Sequence, residues 1–141
     1  MLPTLEAYER MVYGIAADWG AVELSTLVLV RHGVALATVR GEVSFVDGTV
    51  LCVAEMLNFA AGVIETYSYE VLREGEKVTW YDPQPHPDDS SLAATFPHHQ
   101  HVPPNIKRNR VPAPGLAFDR PNLPLLIERI GAEIRGEATL R

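Results

Sequence analysis

Cys52 is the only cysteine in a chain of 141 residues. One thiol cannot close an internal disulfide, and it excludes any zinc site built from several cysteines. No apolar run approaches the ~20 residues needed to cross a bilayer. The most apolar stretch, Leu24 to Ala37, is broken by Arg31 and His32. The N-terminus carries Glu6 and Glu9 and shows no basic segment ahead of an apolar one, so no secretory signal is expected. These absences predict a cytoplasmic protein without membrane contact. The hydrophobic content of 47% is ordinary, and the length fits one domain spanning 1–141 with a real core.

Acidic residues are missing from one long window. From Ser90 to Phe118 there is no Asp or Glu, while Lys107, Arg108 and Arg110 stand there. That window carries +3, so the remainder carries −9 to give the net charge of −6. The overall charge argues against a nucleic-acid binder, but the basic window offers a local cationic rim for phosphate. A solvated surface loop explains the same charges equally well.

What the chain does have is pattern. Thr4 can cap a helix within 1–20 whose apolar residues Leu5, Tyr8, Val12 and Ile15 recur at helical spacing. From Val22 to Asp82 the pattern becomes β. Leu27 to Val30 reads as a short buried strand, and Arg31-His32-Gly33 as a turn. Val34–Val46 and Thr49–Asn58 flank Asp47-Gly48, a strong hairpin signal. A two-residue loop would place Arg40 opposite Glu55, with Gly41 a candidate bend that shifts that pair. Glu55 shares parity with Leu51 and Val53 and so points toward a buried face. It is read either as an ion-pair partner of Arg40 or as an active-site carboxylate. Ile64–Leu72 and Val78–Tyr81 form a second hairpin around Glu74-Gly75, which would set Tyr69 opposite Trp80 and Tyr67 opposite Asp82.

Ten of the eleven prolines lie between Pro83 and Pro124, so the segment 83–121 is expected to be a long, stiff loop rather than a central strand or an unbroken helix. A closing helix over 122–136 follows, with Asn122 as cap, Pro124 in the first turn and Leu125, Leu126, Ile130 and Ile134 as its apolar stripe. The expected fold is α+β: an antiparallel meander of about five strands, a helix at each end, and a Pro/His-rich loop.

The loop carries the chemistry. Four of the five histidines fall between Asp82 and His101, and imidazole is the side chain that titrates nearest neutrality. If His99-Gln100-His101 is extended, His99 and His101 face one way and His98 the other. His86, His99 and His101 are acid/base candidates, Asp82 and Glu55 would orient them, and Tyr81 would stabilise developing charge. Lys107, Arg108, Arg110 and His98 would bind substrate phosphate. Such a set suits metal-independent RNA cleavage, in which one imidazole deprotonates a 2′-hydroxyl and another protonates the leaving 5′-oxygen. Two alternatives stay open. Asp82, His86, His99 and His101 could ligate a divalent metal, or the histidines could simply hold the loop's shape.

In order along the chain come Asp47-Gly48-Thr49-Val50-Leu51, Glu55, Tyr67-Ser68-Tyr69, Trp80-Tyr81-Asp82, Pro85-His86, then Phe96-Pro97-His98-His99-Gln100-His101-Val102. From Val43 to Ile130 this order resembles the TumE family of prokaryotic toxins from type II toxin–antitoxin modules. The chain departs from the family pattern at Gln100, where lysine is common, and at Pro83, where asparagine is common. The resemblance implies a growth-inhibiting toxin neutralised by an antitoxin, commonly a helix-turn-helix DNA-binding protein. A non-catalytic module that binds an antitoxin or cellular target is the rival reading, and a homodimer is compatible with either.

Overall fold

The computed structural model describes residues 1–136. Helix α1 spans Leu5–Asp18; Thr4 Oγ1 caps it by accepting from the Ala7 N–H at 3.2 Å. Its buried residues are Leu5, Tyr8, Val12 and Ile15, the set that the helical spacing predicts. Helix α2 spans Leu123–Ile134 and buries Leu123, Leu126, Ile127 and Ile130. Leu125 and Ile134 are only partly buried, so the stripe is rotated toward Ile127 from the expected one. Asn122 holds the cap position without capping. Its buried amide instead accepts from Ala117 N–H and donates to Ala117 O, both at 2.9 Å, and to Tyr69 Oη at 3.3 Å.

Among the described residues the sheet has eight antiparallel strands, more than the expected five. They are β1 (Val22–Ser25), β2 (Val28–His32), β3 (Leu36–Phe45), β4 (Val50–Asn58), β5 (Val63–Arg73), β6 (Glu76–Asp82), β7 (His99–His101) and β8 (Arg110–Pro112). The order is β1-β3-β4-β5-β6-β7-β8, with β2 also paired to β3. β1 and β2 share one edge of β3 because the chain bends between them beside Gly41. Gly41 has φ 137°, and a Cβ there would lie 2.5 Å from Thr26 O. Gly41→Ala is therefore expected to cost about 2–4 kcal/mol, read as a lower urea midpoint. β2 is an edge strand that runs through Arg31 and His32 rather than turning there. Only Leu29 within it is buried.

Of the three strands beyond the expected five, β1 precedes the expected first strand, and β7 and β8 come from the proline-rich segment. Pro97, Pro103 and Pro104 flank His99-Gln100-His101 and leave its three N–H groups free, so β7 pairs on both sides, with β6 and β8. The expectation that this segment forms no central strand fails there. Between β6 and β7 the chain makes one short 3-10 helix, Ser90–Thr95, capped by Asp89.

Both hairpin registers differ from expectation by one residue. Around Asp47-Gly48 the loop has three residues: Phe45 N–H donates to Thr49 O at 2.8 Å, and Gly48, at φ 91°, donates to Phe45 O at 3.0 Å. Glu55 therefore faces Val39, and Arg40 faces Ala54. In the second hairpin Glu74 and Gly75 make the expected two-residue turn. A bulge at Val78 then sets Tyr69 opposite Tyr81 rather than Trp80. A one-residue slip exchanges the faces of a strand. Tyr81 thus joins Tyr69 on the helix-covered face, and Trp80 and Asp82 turn to the open one.

Candidate active site

Alternation along β6 and β7 builds the site. Trp80 pairs with His101 and Asp82 with His99, so all four side chains share the open face. His99 and His101 are buried, whereas the Asp82 side chain keeps 23% of its exposure. The Trp80 indole stacks on the His101 ring with centroids 3.8 Å apart. Its Nε1–H donates to Asp82 Oδ2 at 2.8 Å, and the Gln84 N–H donates to Oδ1 at 2.8 Å. Burial pushes the Asp82 carboxyl upward, but these donors and the neighbouring His99 and His101 outweigh it and hold the group below its ordinary value.

The imidazoles are oriented from behind. His99 Nδ1 lies 3.1 Å from Pro97 O, and His101 Nδ1 lies 2.7 Å from Ile106 O. A carbonyl only accepts, so each Nδ1 carries a proton and each ring turns its Nε2 forward. The two Nε2 atoms are 3.2 Å apart. His99 Nε2 is 3.3 Å from Asp82 Oδ1 and His101 Nε2 is 3.1 Å from Oδ2. Burial, partly countered by Ile106 O and Asp82, lowers the His101 pKa.

His86 stands edge-on to His99 with ring centroids 5.0 Å apart. Arg110 Nη1 lies 2.7 and 2.6 Å from its two ring nitrogens. Slight desolvation, then Arg110 and His99, lower the His86 pKa, which favours the neutral ring. An open groove of 560 Å³ runs past His86, Asp89 and Arg110, and a second, of 420 Å³, past Asp82, Pro85 and Pro97. Lys107 and Arg108 are exposed on the turn between β7 and β8.

The structure thus gathers Asp82, His86, His99, His101 and Arg110. It separates three other expected members. Glu55 lies on the helix-covered face, where Tyr8 Oη donates to it at 2.7 Å and Tyr69 Oη also donates. Full burial raises the Glu55 pKa despite these two donors. The expected pairing with Arg40 is absent because the longer hairpin loop moves Arg40 to the exposed face. Tyr81 is buried on the helix side against Arg129 and Glu133, with its pKa raised chiefly by burial. His98 also points that way, 2.6 Å from Tyr67 Oη and packed against Phe118, with its pKa lowered by burial. Sequence reasoning missed Trp80 and the carbonyls of Pro97 and Ile106. Trp80 was within reach of it, since residues 80 and 82 of one strand share a face. For a metal, Asp82, His99 and His101 offer three ligand atoms within 4.8 Å of one another, and His86 is not among them.

A family profile described as Toxin TumE matches residues 20–134. Comparison with curated proteins and with solved structures found no match. Among the described residues, no helix is long and apolar enough to cross a membrane. With a site held on β6 and β7 inside the matched region, the chain belongs to the TumE toxin family.

Proposed function

We propose that this TumE-family toxin arrests growth by cleaving RNA in the cytoplasm, and that a helix-turn-helix antitoxin neutralises it. The observation that carries this reading is the convergence of Asp82, His86, His99, His101 and Arg110 on one open face. Arg110, with Lys107 and Arg108 on the adjoining turn, neutralises the phosphate. His86, neutral and at the groove, takes the proton of the 2′-hydroxyl. His99 and His101 are too close to flank a phosphodiester, since their Nε2 atoms are 3.2 Å apart. They serve with Asp82 as one position: a single proton held between the two Nε2 atoms passes to the leaving 5′-oxygen as its bond to phosphorus breaks. This differs from an arrangement in which the two histidines divide the acid and base roles. Glu55, Tyr81 and His98 support the sheet from its other face.

With RNA in molar excess, the purified protein is expected to turn over and leave 2′,3′-cyclic phosphate ends. A 2′-deoxy substitution at the cleavage point should block the reaction. Arg110→Ala should slow it about 10²-fold. Stoichiometric RNA binding without cleavage would instead favour the interaction-module reading.

A further inference from the structure

We propose that Asp82, His99 and His101 bind one divalent transition-metal ion, through both Nε2 atoms and the carboxylate. The tautomers carry the inference. Pro97 O and Ile106 O hold a proton on each Nδ1, so the Nε2 atoms of two buried rings and the Asp82 carboxylate face one another. The two Nε2 atoms meet each other and the carboxylate with no other donor group aimed between them, and buried polar atoms turned on each other are costly. A single shared proton bridges some of these contacts and leaves another as lone pair against lone pair. A metal ion satisfies all three.

The distances fit as well. Zinc–nitrogen and zinc–oxygen bonds of about 2.0–2.1 Å in a tetrahedron place neighbouring ligand atoms about 3.3 Å apart. Here the two Nε2 atoms are 3.2 Å apart, close to such an edge; Asp82 turns Oδ1 to His99 Nε2 at 3.3 Å and Oδ2 to His101 Nε2 at 3.1 Å, and one ligand atom from each of the three residues lies within 4.8 Å of the others. Behind each ligand stands the partner that metal sites use to fix orientation: a backbone carbonyl on each Nδ1, and the Trp80 indole and Gln84 N–H on the carboxylate. Two imidazoles and one carboxylate favour zinc, cobalt or a similar ion over magnesium or calcium. Three protein ligands leave a position open for water or substrate. Asp82 lines one of the open grooves, so that position has a route to solvent.

The inference deepens the RNA-cleaving reading and rests on it for its chemistry, though not for the binding itself. The bound ion would be the positive charge at the leaving 5′-oxygen.

The test uses the full chain, purified without an affinity tag and stripped with a chelator. Calorimetric titration with Zn²⁺ should show one site, and Co²⁺ should give the intense visible absorption of a tetrahedral centre. Asp82→Asn and His101→Ala should each weaken Zn²⁺ binding by more than about 100-fold, beyond what loss of an outer partner costs. His86→Ala should bind as the parent does. Because His101 is buried, imidazole ¹⁵N spectra of the unaltered protein provide a second readout: zinc should shift Nε2 of His99 and His101 while each Nδ1 stays protonated. Absence of binding, or zinc that leaves these Nε2 signals unmoved, would overturn the inference. Full RNA cleavage by metal-free protein would overturn the ion's catalytic part and keep the proposed function. Zinc binding without any RNA cleavage would overturn the proposed function and keep the site.

Discussion

Alanine at His99 or at His101 is expected to abolish growth arrest on expression. Each variant should lose about 10²–10⁴-fold in RNA cleavage, the usual loss on removing a positioned proton-transfer or charge-stabilising group. Either change empties one vertex of the Asp82–His99–His101 triangle and leaves the other imidazole facing the carboxylate alone. Circular dichroism must show the sheet intact, because both rings are buried beside β6. Tyr81→Phe is the matched control. It alters a neighbour in sequence that lies on the other face of the sheet, and it should leave cleavage within about threefold of the parent. Undiminished toxicity of the His99 and His101 variants would remove the cluster from the mechanism.

Glu55 should govern stability rather than activity. Glu55→Ala removes the acceptor of two buried tyrosine hydroxyls and opens a cavity at the junction of α1, β4 and β5. The expected loss is about 3–5 kcal/mol, or roughly 10 °C or more in Tm for a chain of this size. Glu55→Gln separates charge from shape. Burial raises the folded-state pKa of Glu55 above its ordinary value of 4.5. Its contribution is therefore fully present below the unfolded pKa and is lost as pH rises through the folded one. The glutamine does not titrate. Its stability relative to the parent should rise from about pH 4 toward neutrality, by about 1.4 kcal/mol for each tenfold gain in proton affinity on folding. Urea denaturation across that range measures it, and a constant difference between the two proteins would contradict the buried-acid account.

Much of this architecture is legible in the residues, and its failures have physical causes. Thr4 and the spacing of Leu5, Tyr8, Val12 and Ile15 specify α1 because capping and periodicity act locally. Asp47-Gly48 locates a hairpin but suits loops of two or three residues equally, and that single residue decides whether Arg40 or Val39 meets Glu55. The Val78 bulge leaves no mark in composition, yet it turns Asp82 outward and Tyr81 inward. β7 is too short for any periodic signal, and the prolines around it suggest loop. Alternation alone does show that His99 and His101 share a side that His98 does not. That Asp82 lies beside His99 depends on strand pairing across the intervening 3-10 helix, a long-range contact that no local pattern encodes. The chemistry-bearing residue types were readable; which of them converge was set by two registers.

The central claim is that Asp82, His99 and His101 act as one unit. A double-alanine cycle on His99 and His101, read in RNA cleavage rate at saturating enzyme, tests it most directly. If the two rings hold one charge between them, the double variant should be no more than about threefold slower than either single variant. Losses that multiply, so that the double variant falls by the product of the two, would mean that the imidazoles work separately and would contradict the account.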